Sequence, residues 1–182
     1  MMLKLPSIPN NVYSSYDEAI QAPTSSFLLK RNNLFNYYFN GLYEGLDYDS
    51  ELYQNSQAKS KKFQQHISNI AKKIAKKATL NSKLVEIGCG KGYFLDTLNS
   101  IGFTNLFGFD ITYQGNNNRI KKKYFDNLDY DFKADFIVLR HTLEHIPDPV
   151  NFLKNIYKIN NKDECTIFIE VPCLKWILNN QA

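Results

Sequence analysis

The clearest hydrophobic pattern lies in a basic stretch in the first half of the chain. Phe63, Ile67, Ile70 and Ile74 recur at spacings of four, three and four residues, which places them on one face of a helix. The lysines of the same stretch fall mostly on the other faces of that helix. The pattern therefore predicts an amphipathic helix between residues 60 and 79 that leads into the main domain.

Short apolar runs follow this helix and alternate with helical stretches. Helices are predicted at 93–101 and 149–159. The predicted strands are 84–88, 105–110, 134–139 and 165–171, with a weak fifth candidate at 122–125. Strands that alternate with helices form a parallel sheet with helices on both faces. The expected fold class is therefore α/β, with a doubly wound, mostly parallel sheet.

The first 58 residues lack such a pattern. Residues 1–33 have no clear period and are rich in Ser, Asn and Pro, so we expect an extended arm there. Residues 34–57 are crowded with aromatic side chains, and Gly41 and Gly45 disfavour a regular helix. We therefore divide the chain into an N-terminal arm with an aromatic-rich lid segment (1–58) and a main domain (59–182).

Composition excludes several classes of protein. Of the 182 residues, 43% are hydrophobic and 22% are charged, which are ordinary values for a soluble globular protein. No run of eighteen apolar residues occurs, so we expect neither a membrane span nor a membrane partner. No secretory signal is visible, and three cysteines cannot form a fully paired framework. We therefore expect reduced thiols and a cytoplasmic protein.

The net charge of +4 is unevenly distributed. Eight lysines lie between Lys59 and Lys83, in a stretch without Asp or Glu. Such a stretch could contact a nucleic acid or an anionic sugar nucleotide. Base-specific contacts favour arginine, however, and the chain has only three arginines. We therefore predict a solvated helix face and no specific nucleic-acid partner.

The first strand of the main domain runs into a glycine-rich turn, Glu86-Ile87-Gly88-Cys89-Gly90-Lys91-Gly92. Ligands of open α/β sheets bind at the carboxyl ends of the strands, and glycine lets the backbone pass close to them. The spacing matches neither the dinucleotide fingerprint nor the P-loop. Asp110, at the end of the next strand, can accept hydrogen bonds from both ribose hydroxyls. The alternative is a glycine-rich turn that binds nothing.

Two of the three histidines follow the third strong strand, in the segment Arg140-His141-Thr142-Leu143-Glu144-His145. The spacing His-x-x-Glu-His occurs in zinc enzymes, but the prolines that follow interrupt the helix that such a site needs. We therefore predict no metal site. A histidine here can act as a base because its pKa is near neutrality, so His141 and His145 are the candidate catalytic residues. The alternative is that they only pack or form hydrogen bonds. His66, on the basic helix, is expected to be a surface residue.

Four segments in this order, VEIGCGKGYFL, FGFD, ADFIVLRHTLEHIPDP and FIEVP, resemble the class I S-adenosylmethionine-dependent methyltransferases, which have a Rossmann-like fold. The motif RHTLEHIPDP, together with the upstream motif YQNSQ, is similar to the nucleotide-sugar C-methyltransferase group. The resemblance covers about residues 35–178. It implies methyl transfer from S-adenosylmethionine to carbon of a small-molecule acceptor such as a nucleotide-linked keto-sugar.

The resemblance also implies roles for individual residues. Asp110 would hold the ribose, Tyr53 and Gln57 would cover the cofactor or substrate as a lid, and His141 or His145 would serve near the acceptor. The implied cofactor-binding residues are Glu86, Gly88, Cys89, Gly90, Gly92, Asp110, Ile111, Phe125, Arg140 and His141.

Relatives continue well beyond the fifth strand, with a catalytic Glu-His element and further strands, whereas this chain ends at Ala182. We therefore expect a truncated methyltransferase that lacks the last two strands. An exposed sheet edge invites pairing with another chain, so self-association is expected. The alternative function is an S-adenosylmethionine-binding module with little or no catalytic activity.

Overall fold

The computed structural model describes residues 2–6, 15–22, 24–42, 60–125, 133–160 and 163–180. The chain divides into two compact units, Met1–Asn55 and Ser56–Ala182. None of the helices in the described ranges combines the length and the apolar character needed to span a bilayer.

The N-terminal unit contains a three-stranded antiparallel sheet in the order β1-β2-β3. Its elements are β1 (Met2–Pro6), α1 (Tyr16–Gln21), β2 (Thr24–Asn32) and β3 (Tyr37–Asn40). Residues 1–33, for which the sequence predicted an extended arm, contain the two strands β1 and β2 and the helix α1. The consecutive residues Phe27, Leu28 and Leu29 are all half-buried. This strand consequently lacks the alternation by which half-buried strands are recognised.

The second unit begins with helix α2 (Lys61–Ala75). Ser60 caps it, because its hydroxyl accepts a hydrogen bond from the backbone nitrogen of Phe63 at 3.4 Å. The predicted apolar face is confirmed, since Ile67, Ile70 and Ile74 are buried. The lysines of this helix are exposed, as expected of a solvated face.

A five-stranded parallel sheet forms the centre of this unit, in the order β6-β5-β4-β7-β8. The strands are β4 (Leu84–Ile87), β5 (Leu106–Phe109), β6 (Ile120–Lys121), β7 (Phe136–Arg140) and β8 (Thr166–Glu170). The helices that follow α2 are α3 (Tyr93–Ser100), α4 (Pro149–Asn160) and α5 (Leu174–Asn180). The predicted fold class is confirmed: the unit is an α/β domain with a Rossmann-like parallel sheet.

Successive residues of a strand point to opposite faces of the sheet, and the two core clusters follow this rule. Leu84 packs with Ile67 of α2 and Leu95 of α3. The next residue, Val85, packs in the other cluster with Ile156 of α4. Helices α2 and α3 therefore cover one face of the sheet and α4 covers the other.

The weak fifth strand predicted at 122–125 is wrong, because the edge strand β6 is formed by Ile120–Lys121 instead. Two residues are too few to show a period, and Ile120 pairs with Gly108 of β5 through the backbone. Phe125 lies in the core, where its ring centre is 5.0 Å from that of Phe109.

The strand order positions the candidate site. Strands β5 and β6 lie on one side of β4, and β7 and β8 lie on the other. In open α/β sheets, ligands bind where the strand order reverses, outside the carboxyl ends of the strands. The loops that follow β4 and β7, which carry the glycines and the two histidines, therefore border the expected crevice.

Candidate functional site

The loop after β4 has three glycines with left-handed backbones. The φ angles of Gly88, Gly90 and Gly92 are 75°, 54° and 84°, a region that other residues adopt at a cost. A Cβ atom added to Gly88 would lie 2.1 Å from Oγ1 of Thr142, and one added to Gly92 would lie 2.5 Å from Cδ1 of Ile120. The backbone angle therefore favours glycine at both positions, and at Gly88 the position of Thr142 also leaves no space for a side chain.

Asp110 joins this loop to the end of β5. Its Oδ2 accepts a hydrogen bond from the backbone nitrogen of Gly90 at 2.6 Å. Its Oδ1 accepts two hydrogen bonds from Thr112, one from the backbone nitrogen at 2.8 Å and one from the hydroxyl at 2.6 Å. Because Asp110 is only half-buried and a carboxylate has about four acceptor positions, it keeps acceptor capacity for a ligand hydroxyl.

Cys89 and Ile111 flank these contacts. Cys89 is buried in the core, and burial raises the pKa of its thiol. Since a thiol reacts as the thiolate, Cys89 is a packing residue here and not a nucleophile. Ile111 follows Asp110 directly and is half-buried.

A buried glutamate and a buried arginine lie under the loop. Oε1 of Glu86 is 3.7 Å from Nη1 of Arg140, and the two residues are 2% and 8% exposed. Burial raises the pKa of Glu86 to about 8, although the charge of Arg140 opposes this shift. Arg140 also donates from Nε to Oε2 of Glu170 at 2.8 Å, and its guanidinium lies 4.8 Å from the ring centre of Phe94. Arg140 is therefore stabilised by a second carboxylate and by an aromatic face.

Thr142 connects the ends of β4 and β7. Its hydroxyl lies 2.9 Å from the carbonyl oxygen of Ile87 and 3.1 Å from that of Arg140, and it can donate to either. The same hydroxyl occupies the space beside Gly88. The glycine loop and the histidine loop are thus in direct contact.

His141 follows β7 with a left-handed backbone, at a φ of 50°. Its backbone nitrogen donates to the carbonyl oxygen of Glu170 at 2.9 Å. Its ring lies between two carboxylates, with Nδ1 3.4 Å from Oε1 of Glu144 and Nε2 3.9 Å from Oε1 of Glu170. The hydrogen bond with Glu144 raises the pKa of His141, against the opposing effect of burial.

His145 ends a single 3₁₀ turn, Leu143–His145. Burial lowers the pKa of His145, although the charge of Glu144 opposes this. The two histidines are therefore shifted in opposite directions, which is the pattern expected of groups with different roles in proton transfer. No group of three or more His, Cys, Asp or Glu in the described ranges could hold a metal ion; that the protein binds none stays a prediction.

Sequence reasoning missed Glu170. His66 is exposed, as predicted, but it also makes a contact that the sequence did not indicate. Nε2 of His66, on α2, is in hydrogen-bond contact with Oε1 of Glu170. Burial alone would raise the pKa of Glu170, but the hydrogen bond from His66 and the charge of Arg140 together lower it. A single acidic residue within the otherwise apolar run of β8 is a signal that could have identified Glu170. The pattern of α2 gave no such signal for His66.

Most residues of the predicted cofactor site come together at the carboxyl ends of β4, β5 and β7. Phe125 differs, because it is buried in the core against Phe109. Tyr53 and Gln57 lie outside the described residues. Their assignment to a lid, like the assignment of the other residues to a cofactor, stays a prediction.

Comparison with known families agrees with this geometry. Residues 56–182 match the family model described as a methyltransferase domain. This match spans most of the chain, and the chain therefore belongs to that methyltransferase family, in the class I S-adenosylmethionine-dependent group. Members of the family usually use S-adenosylmethionine. A search of curated proteins gave no significant match.

Two buried atoms at this site are suited to the methionine end of that cofactor. Oε2 of Glu86 and Nη2 of Arg140 have no hydrogen-bond partner among the described residues. Such atoms are costly unless a ligand or water satisfies them. S-adenosylmethionine carries an ammonium, which can donate to a carboxyl oxygen, and a carboxylate, which can accept from a guanidinium. The residues present therefore fit this cofactor.

Proposed function

We propose that this protein binds S-adenosylmethionine and transfers its methyl group to carbon of a small molecule, such as a nucleotide-linked keto-sugar. One observation carries the proposal. The left-handed glycine loop is joined to Asp110, and it lies beside a histidine pair at the point where the strand order reverses. The resemblance of RHTLEHIPDP to the nucleotide-sugar C-methyltransferases supports the choice of acceptor.

On this proposal, the loop and the strand ends share the task of holding the cofactor. Asp110 would accept hydrogen bonds from the ribose hydroxyls, while Gly88, Gly90 and Gly92 leave room for the cofactor beside the backbone. Glu86 and Arg140 would face its charged methionine end. S-adenosylmethionine, when bound, supplies a methyl group on a positively charged sulfur.

The pKa values of His141 and His145 are shifted in opposite directions, so the two histidines have different roles in this proposal. Methylation of carbon requires that a base remove a proton from the carbon next to a carbonyl group. His145 is the better base at neutral pH, because its lowered pKa keeps the imidazole unprotonated. His141 is the better cation of the two, because its raised pKa favours the protonated form, and it would stabilise the negative charge that develops on the carbonyl oxygen.

Cofactor binding is tested by isothermal titration calorimetry with S-adenosylmethionine and with S-adenosylhomocysteine. Asp110→Ala should weaken binding by about 1.5–3 kcal/mol, the range for hydrogen bonds to a charged group. Asp163→Ala is the control, since Asp163 is exposed and should leave the affinity unchanged. Equal affinity of wild type and Asp110→Ala for S-adenosylmethionine would show that Asp110 does not bind the cofactor.

Proton removal can be tested apart from methyl transfer. With S-adenosylhomocysteine bound, the protein should exchange the α-hydrogen of a nucleotide-linked keto-sugar with D2O, as followed by NMR. His145→Gln should slow this exchange by roughly 10²–10⁴-fold, and His141→Gln should slow it while leaving the exchange measurable. Unchanged exchange in His145→Gln would refute the assignment of His145 as the base.

The alternative is a cofactor-binding module with little or no activity. The outer strand β8 gives a reason to test it, because Ile167 and Ile169 are 38% and 41% exposed, so this side of the sheet is only partly covered in the described ranges. Such a module would bind S-adenosylmethionine with the same dependence on Asp110. It would catalyse neither hydrogen exchange nor methyl transfer, which separates the two hypotheses.

A further inference from the structure

Glu170 lies at the centre of the site, and the roles proposed above do not include it. It ends β8, the strand beside β7, and it receives contacts from three residues. Arg140 of β7 donates to Oε2 at 2.8 Å, and His66 of α2 contacts Oε1. The same Oε1 lies 3.9 Å from Nε2 of His141.

These contacts fix the carboxylate on both of its oxygens. The side chain is 15% exposed and that of Arg140 is 7% exposed, so the pair is protected from much of the solvent screening that weakens surface ion pairs. The contact with His66 adds a link to α2. Glu170 is thus a fixed charge at the end of β8.

Glu170 also contacts His141 through its backbone. The carbonyl oxygen of Glu170 accepts a hydrogen bond from the backbone nitrogen of His141 at 2.9 Å. This bond helps to hold the backbone of His141 at a φ of 50°, an angle that residues other than glycine rarely adopt. One residue therefore contacts both the main chain and the imidazole of His141.

We infer that Glu170 is a positioning residue: held by Arg140 and His66, it orients the imidazole of His141 as a cation toward the acceptor. This inference rests on the proposed function for the role of His141. Other groups near that ring are Glu144 and His145 of the turn and Arg140 of β7. Glu144 contacts Nδ1, so Glu170 is the carboxylate on the Nε2 side.

The direct test is an NMR titration of the histidine rings in the cofactor-free protein. Glu170→Gln keeps the size of the side chain and removes its charge. It should lower the pKa of His141, whereas Glu164→Gln, a change at an exposed residue, should leave it unchanged. Equal titration of His141 in wild type and Glu170→Gln would overturn the inference.

Glu170→Gln removes the negative charge that pairs with Arg140, so this variant is less stable than wild type. The wild-type protein provides a second measurement. The carboxyl ¹³C resonance of Glu170 should respond at the pH at which His141 titrates, because the two charges are close. A Glu170 resonance that does not follow the His141 titration would contradict the inference without any substitution.

Kinetics separates a positioning role from a purely structural one. Glu170→Gln should reduce kcat for a nucleotide-linked keto-sugar by roughly ten- to a hundredfold, the size of effect that misplacement of a catalytic group produces. The Kd for S-adenosylmethionine should change less than kcat, because Glu170 acts on the cofactor site only through Arg140. A fall in affinity with kcat unchanged would refute the positioning role. If the titration behaves as expected but no methyl transfer occurs, the proposed function fails and the contact between Glu170 and His141 stands.

Discussion

Replacement of Gly88 by alanine adds a single carbon atom, Cβ, to the loop after β4. The new Cβ would lie 2.1 Å from Oγ1, 3.0 Å from Cγ2 and 3.1 Å from Cβ of Thr142. The residue would also have to keep a φ of 75°. Gly88→Ala therefore combines an unfavourable backbone conformation with an overlap against the threonine that connects the ends of β4 and β7.

Two terms set the magnitude. A left-handed backbone costs a non-glycine residue about 1–2 kcal/mol, and an extra methyl group in a filled space costs about 1–3 kcal/mol. The free energy of unfolding should therefore fall by roughly 2–5 kcal/mol. This is a large loss for a protein of ordinary stability, about 5–15 kcal/mol.

Gly102→Ala separates the two terms. Gly102 has a φ of 104°, but its added Cβ would come no nearer than 3.4 Å to Leu80, which is ordinary van der Waals contact. This control should therefore lose only the backbone term. The difference between the two variants in urea-induced unfolding measures the overlap with Thr142.

A second substitution tests the cause directly. Thr142→Ala removes Oγ1 and Cγ2, so the double variant Gly88→Ala/Thr142→Ala should lose less stability than the sum of the two single variants. The relief should be partial, because Cβ of residue 142 remains 3.1 Å from the added methyl group. Additive losses, or a Gly88→Ala variant as stable as Gly102→Ala, would refute this account of the loop.

Three further predictions concern buried groups. Because burial raises the pKa of Glu86 to about 8 from an ordinary value of 4.5, wild-type stability should fall as pH rises between these values. Glu86→Gln should remove this fall, so its free energy of urea-induced unfolding at pH 8 should exceed that of wild type by on the order of a few kcal/mol. Free energies of unfolding that change with pH in parallel in the two proteins would contradict this prediction. Asn160→Ala should cost about 2 kcal/mol or more, because the side chain bonds both backbone groups of Ala134, and the exposed Asn155→Ala should cost little. A thiol reagent should modify the exposed Cys173 before the buried Cys89, and mass spectrometry that finds the reverse order would refute this.

The sheet could be predicted because burial on both faces leaves a mark in the sequence. All five residues of β7 are buried, and such a strand reads as a short apolar run. Strand β2 escaped prediction for the opposite reason, because none of its residues whose burial is described is fully buried. Backbone pairing holds it in the antiparallel sheet, and backbone hydrogen bonds place no requirement on side-chain identity.

The same contrast applies to the candidate site. Glycine positions are dictated by local backbone angles and neighbouring atoms, so the loop after β4 and its partner Asp110 could be found by spacing. The contact between His66 and Glu170 joins residues 104 positions apart. Only the packing of α2 against the sheet brings them together, and no local pattern encodes that packing.

Sheet register explains why residues so distant in sequence behave as one electrostatic unit. Glu86 pairs with Val138 of β7, two residues before Arg140, and Arg140 pairs directly with Glu170 of β8. Residues two apart in a strand share a face, so the guanidinium lies between one carboxylate from each neighbouring strand. It pairs at 2.8 Å with Glu170 and approaches Glu86 only to 3.7 Å. Burial raises the pKa of Glu86 and Arg140 offsets this only in part, whereas the hydrogen bond from His66 and the charge of Arg140 together lower the pKa of Glu170 against the effect of burial. The side of the site nearest the glycine loop therefore keeps a proton at neutral pH, whereas the side nearest His141 keeps a negative charge.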